Sequence, residues 1–131
     1  MIENGSSQVA VVDDDAAVLE SLRFLLELAG FQVAAYSSAI DYLERSDISP
    51  RCIILDHHMP RMTGLELTAR LRADGNQVPI LLITSFPSPA VVARAAEIGI
   101  ARVLDKPPTE EDLINFVVTC HSRAALGSHR E

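Results

Sequence analysis

Residues 52–60 read Cys52-Ile53-Ile54-Leu55-Asp56-His57-His58-Met59-Pro60. A short run without a polar side chain ends in one carboxylate, and turn chemistry follows at once. A run of this length predicts a strand buried on both faces, as in a parallel sheet. In open α/β sheets, ligands bind just beyond the carboxyl ends of the strands. Asp56 falls there. One acid at a strand end is commonplace as a helix cap or a solvated charge, so its meaning depends on what ends the other strands.

Working outward, Val9-Ala10-Val11-Val12 is a similar run, closing on Asp13-Asp14-Asp15. Asp15 can cap the helix that follows, where Val18, Leu22, Leu25 and Ala29 recur at helical spacing and Gly30 is the stop. Phe31 to Tyr36 predicts a second strand, and Ser38 with Asp41 a short helix to about Ser46. Beyond Pro60, Thr63-Gly64-Leu65-Glu66 has capping-box spacing and opens a helix carrying Leu67 and Leu71. Pro79 to Ile83 predicts a fourth strand, closing on Thr84-Ser85. Ser88-Pro89 reads as cap and first residue of a helix with Val91, Val92, Ala95 and Ile98 on its inner side. Ile100 to Leu104 predicts a fifth strand before Asp105-Lys106-Pro107-Pro108. Thr109 caps a last helix with Leu113, Phe116, Val117 and Cys120 inward.

Strict strand-helix alternation implies a parallel sheet with helices on both faces and right-handed crossovers. Two architectures suit: the flavodoxin-like doubly wound (βα)5 order 2-1-3-4-5, or half of a dinucleotide fold. The second lacks its phosphate fingerprint, since Asp-Asp-Asp stands where Gly-x-Gly-x-x-Gly would. The expected organisation is an N-terminal leader over 1–7, one domain over 8–121 and a polar, fraying tail over 122–131.

The 131 residues suffice for one domain with a real core, and nearly half are apolar. Eleven basic against eighteen acidic residues leave a charge of −7, which argues against direct nucleic-acid binding. Nothing approaches a membrane span or a secretory signal, so a cytoplasmic protein is expected. Cys52 and Cys120 lack metal-ligand spacing and read as small packing residues rather than a disulfide.

In a parallel sheet the strand ends meet at one edge, bringing together Asp13, Asp14, Asp56, Thr84 and Lys106. Taken singly these are acids at a helix start, a cap and a turn lysine. Together they are three carboxylates that repel unless a cation neutralises them, plus a hydroxyl and a mobile ammonium. Oxygen-only ligands suit Mg²⁺ (or Mn²⁺), and the set matches parts that stabilise a transferring phosphoryl group. His57-His58 would suit a transition metal, but adjacent histidines on a turn do not readily converge, and no such site is expected.

The series Val12-Asp13-Asp14-Asp15, Leu55-Asp56-His57-His58-Met59-Pro60-Arg61-Met62-Thr63-Gly64, Ile83-Thr84-Ser85 and Asp105-Lys106-Pro107 resembles the receiver domain of bacterial two-component response regulators, from about Gln8 to His121. The resemblance implies that Asp56 accepts a phosphoryl group from the phosphohistidine of a sensor histidine kinase. It implies Asp13 and Asp14 as Mg²⁺ ligands, joined by Asp56 and the His58 backbone carbonyl. Thr84 resembles the switch hydroxyl and Lys106 the phosphate-pairing lysine, whose bond to Pro107 is usually cis. Such a chain assists its own modification and hydrolysis rather than turning over an external substrate, so it is not expected to be an enzyme in that sense.

Three positions depart from the pattern. Val103 stands where the family usually has Tyr or Phe, so no ring can rotate to report the switch. Phe86 lies two past Thr84, between that residue and Pro87-Ser88-Pro89, whose prolines limit the loop. His58, two past Asp56, could orient or deprotonate water beside the phosphoryl group, and with Phe86 set its lifetime. The surface of the fourth helix, fifth strand and fifth helix, with Val91, Ile100 and Val103, would suit a homodimer or a partner helix. A stand-alone receiver is the expected reading, with output through an effector or a histidine phosphotransfer protein. A phosphorylation-independent pseudo-receiver, a phosphate shuttle or sink and, last, an Asp-nucleophile phosphatase are the alternatives.

Overall fold

A computed structural model describes residues 8–47 and 49–130, with side chains as far as Ser122; the predicted leader over 1–7 lies outside the described residues. Apolar runs alternate with capped amphipathic segments, giving β1 (Gln8–Val12), α1 (Ala16–Leu28), β2 (Gln32–Tyr36), α2 (Ala39–Arg45), β3 (Cys52–Asp56), α3 (Gly64–Ala73), β4 (Ile80–Thr84), α4 (Pro89–Glu97), β5 (Arg102–Asp105) and α5 (Glu110–Arg130). The strands form one parallel sheet in the order β2-β1-β3-β4-β5. This is the flavodoxin-like arrangement.

Every residue of β3 and β4 is buried, because helices cover both faces of the central strands. Alternate residues divide between two cores. Ala10, Val12, Ile53, Leu55, Ile80 and Leu82 pack with Tyr42 of α2 and Leu67 and Leu71 of α3. Val9, Val11, Cys52, Ile54, Leu81 and Ile83 pack with Leu22 and Leu26 of α1 and with Leu113, Phe116, Val117 and Cys120 of α5. Each large side chain fully buried in this way contributes about 1.5–3 kcal/mol. Cys52 and Cys120 are buried and not joined in a disulfide; their mutual hydrogen bond, then burial, push the Cys52 thiol pKa up.

The caps follow the local signals. The Asp15 carboxylate accepts from the N–H groups of Ala17 and Val18, Ser38 accepts from Asp41 N–H, and Thr63 and Glu66 form a reciprocal capping box. Ser88 caps α4, with Pro89 at its first residue. At the other end of α4, Gly99 adopts a φ of +75°, and its N–H and that of Ile100 bond to the carbonyls of Ala96 and Ala95. This Schellman closure uses Ile100 to finish the helix, so β5 starts at Arg102 rather than at Ile100.

Three further expectations shift. On α1 the buried residues are Leu22 and Leu26, while Val18 is 36% exposed and Ala29 is exposed. Leucines and Phe24 occur almost all round this helix, and contact with β1 and α5 chooses the inward stripe. On α4, Ala95 is buried and Val91 half-buried, but Val92 faces solvent. The backbone of α5 runs to Arg130, through the stretch read from the sequence as a polar tail. Arg123-Ala124-Ala125-Leu126 are good helix formers, and no proline interrupts them. Among the described residues no helix is long and apolar enough to cross a membrane.

Candidate functional site

Sheet register builds the site. Val12 pairs with Leu55, Asp56 with Ile83, and Thr84 with Asp105. Asp13, Asp56, Thr84 and Lys106 therefore leave the sheet at its carboxyl edge within one residue of a common level. Asp13, Asp56 and Thr84 are buried, at 4%, 3% and 0% exposure; Asp14 faces solvent.

One carboxylate oxygen from each of Asp13, Asp14 and Asp56 lies within 4.8 Å of the others. Lys106 reaches in from the turn after β5, its backbone N–H bonded to the Thr84 carbonyl at 3.0 Å and its Nζ 2.8 Å from Asp56 Oδ1. Burial opposes the Lys106 charge, but Asp56, followed by Asp13 and Asp14, outweighs it and holds the ammonium pKa above its ordinary value. Asp13 is pushed up to about 6. Burial is the main cause and the Asp56 charge adds to it, against the Asp15 N–H that bonds Asp13 Oδ1 at 2.9 Å.

Three carboxylates facing one ammonium leave an excess of two negative charges, the charge of one divalent cation. Asp56 Oδ1 is buried and, beyond its ion pair, makes no aligned hydrogen bond. The His57 carbonyl is occupied by the N–H groups of Met59 and Gly64, whereas among the described residues no backbone hydrogen bond ends on the His58 carbonyl. All the donors are oxygens. The set fits a hard ion such as Mg²⁺ and lacks the imidazole or thiolate that zinc favours.

Thr84 is held from two sides. His58 Nε2 lies 2.7 Å from Thr84 Oγ1, and the Phe86 N–H donates to the same oxygen at 3.1 Å. The Phe86 ring is 70% exposed, so this residue acts on Thr84 through its main chain. The adjacent histidine rings meet edge to face at 5.0 Å and 65°, and among the described residues the group that could hold a metal is Asp13, Asp14 and Asp56, without either imidazole. His57 N–H is tied to the Ile83 carbonyl, and its ring Nδ1 is buried and has no hydrogen-bond partner among the described residues. Burial, then the neighbouring His58, lowers the His57 pKa.

Val103 is half-buried and packs with Val91 and Ile100 against the core, beside a groove that Pro87, Val92 and Ala96 also line. The Lys106–Pro107 bond is cis, as the resemblance implied. An apolar cleft lined by Val18, Leu22, Pro107 and Pro108 opens beside Asp13 and Lys106.

Two contributors escaped the sequence reading. Asp15, singled out only as a cap, also orients Asp13 through its N–H. Gly64 permits α3 to start against the end of β3, since a Cβ there would stand 2.7 Å from the Asp56 carbonyl oxygen. The signal for Gly64 was its place directly after the capping threonine.

Comparison with known proteins gives a consistent result. The model of the response regulator receiver domain matches residues 9–118. The chain is 36% identical over 127 residues to the transcriptional regulatory protein FixJ of Azorhizobium caulinodans, covering 96% of this chain and 58% of that protein. It is 36% identical over 114 residues to the response regulator protein TmoT of Ectopseudomonas mendocina, covering 86% and 52%. The chain thus spans about half the length of these relatives. Among solved structures, the response regulator StyR superposes with a TM-score of 0.79 at 34% identity, covering 94% of this chain and 65% of that one. The N-terminal part of FixJ gives 0.79 at 27%, covering 94% and 96%. With a family model spanning most of the sequence and the strand order of its solved members, this chain belongs to the receiver domains of two-component response regulators.

Proposed function

We propose that this domain accepts a phosphoryl group on Asp56 from the phosphohistidine of a sensor histidine kinase in the bacterial cytoplasm, and that the modification changes a partner-binding surface. The observation that carries this reading is the buried Asp56 carboxylate, with Lys106 Nζ at 2.8 Å and the Asp13 and Asp14 carboxylates beside it.

One Asp56 oxygen forms a bond to phosphorus while the P–N bond to the donor imidazole breaks; its electron pair stays on nitrogen, which takes a proton from solvent. In hydrolysis, water adds to phosphorus and loses a proton to solvent, and the P–O bond to Asp56 breaks. Inorganic phosphate leaves and the carboxylate is restored. Lys106 offsets charge developing on the phosphoryl oxygens. Asp13, Asp14, Asp56 and the His58 carbonyl would hold Mg²⁺, which when bound neutralises the carboxylates and the phosphate together. The cleft between Val18, Leu22 and Pro107-Pro108 offers an apolar contact for the donor beside Asp56.

The protein modifies itself and returns to its starting state, so it is not an enzyme acting on an outside substrate. Thr84 is the group placed to sense the new oxygens. Because Val103 has no ring to rotate, the signal passes through the Thr84–Pro89 backbone to α4. The face of α4, β5 and α5 is the surface for a homodimer or an effector.

Acetyl phosphate labelling read by intact mass tests this. Wild type with Mg²⁺ should gain one phosphoryl group, and both Asp56→Asn and omission of Mg²⁺ should abolish the gain. An adduct that survives Asp56→Asn, or no adduct from either acetyl phosphate or a phosphorylated kinase, would refute the reading.

A further inference from the structure

A threonine hydroxyl has one hydrogen to donate and two lone pairs. In this structure Phe86 N–H occupies one lone pair of Thr84, and the imidazole of His58 takes up a second interaction at 2.7 Å. The His57 ring lies against that of His58 at 5.0 Å, and the His57 backbone N–H bonds the Ile83 carbonyl. His58 is an exposed residue whose ring packs edge to face on His57, and Thr84 is engaged before any phosphoryl group arrives.

From this geometry we infer that His58 is a positioning residue acting through Thr84: its Nε2 accepts the switch hydroxyl's one hydrogen in the unmodified state, and this latch opens when that hydrogen turns to a phosphoryl oxygen. This rests on the phosphoacceptor reading above and deepens it. His58 acts here by occupying Thr84, whereas a residue activating water would work whether or not Thr84 carried a hydroxyl. One net hydrogen bond broken on loading should weaken binding of the phosphoryl group roughly two- to tenfold.

The test is a double-mutant cycle with beryllofluoride, an inorganic stand-in for the phosphoryl group, titrated calorimetrically at saturating Mg²⁺. His58→Ala should bind it roughly two- to tenfold more tightly than wild type, by the same single-bond argument. His58→Gln, whose amide can occupy the position of Nε2, should restore wild-type affinity. In the Thr84→Ala background His58→Ala should change affinity by less than about twofold, as for two groups that work through one contact. In wild type, the ¹⁵N resonance of His58 Nε2 should move on loading, and in Thr84→Ala it should not. Equal effects of His58→Ala in both backgrounds, or no gain in affinity in the first, would overturn the latch while leaving the phosphoacceptor reading intact. Failure of wild type to bind beryllofluoride would overturn both.

Discussion

Asp13→Asn isolates the electrostatic cost of the acidic site. The Asp13 carboxyl is 4% exposed, and its pKa is pushed from an ordinary 3.8 up to about 6. The unfolded chain therefore releases this proton first as pH rises. Below about pH 4 both states hold the proton and Asp13 costs nothing. Between about pH 4 and 6 the folded state binds more protons, so stability falls with rising pH; above about 6 the loss is complete. The difference corresponds to roughly 3 kcal/mol, an upper figure because nearby carboxylates relax when one is removed. Asparagine keeps the oxygen that accepts the Asp15 N–H at 2.9 Å and removes the charge. In EDTA at about pH 7.5 the variant should be more stable than wild type by roughly 1–3 kcal/mol, and at pH 4 the two should nearly coincide. Adding Mg²⁺ should stabilise wild type much more than the variant, closing or reversing the gap, because a ligand bound only by the folded state stabilises it. Urea denaturation followed by circular dichroism at both pH values, with EDTA and with Mg²⁺, measures all four gaps. A variant no more stable than wild type at pH 7.5 in EDTA, or a gap independent of pH, would refute the argument.

Two other substitutions probe the supports of the site. Gly64→Ala would set a methyl 2.7 Å from both the Asp56 carbonyl oxygen and Leu82 Cδ1; the backbone contact cannot yield, so α3 must shift from the end of β3. A loss of about 1–3 kcal/mol is expected, with slower acetyl phosphate labelling, and an unchanged urea midpoint would sink this reading of the contact. Arg72 of α3 donates to the carbonyls of Ile98, Gly99 and Asn76 at 2.9, 3.0 and 2.9 Å, tying the end of α4 to α3. Arg72→Ala should cost roughly 1.5–3 kcal/mol and speed hydrogen exchange of the Gly99 and Ile100 amides above that of β3. Uniform exchange changes across the chain would show that the tie is not local.

Much of the site was legible because its signals act over a few residues. An apolar run ending in Asp56 declares a buried strand and its carboxyl end. Asp15, Ser38, Thr63 and Ser88 declare helix starts through bonds to amides two or three residues on. Once parallel order is inferred from alternation, Asp13, Asp14, Thr84 and Lys106 must join Asp56 at one edge. Short-range physical chemistry determined those features, whatever the final packing. The inward stripe of α1 was not legible, because leucine occurs nearly all round that helix and only contact with β1 and α5 selects Leu22 and Leu26. The start of β5 was hidden by Ile100, apolar enough for a strand but used to close α4. The His58–Thr84 bond was beyond reach for the same reason. It joins side chains 26 residues apart, and its existence turns on the register of β3 against β4. Spacing along a chain sets which groups share an edge; the ångström-scale approach that makes two of them partners belongs to tertiary packing.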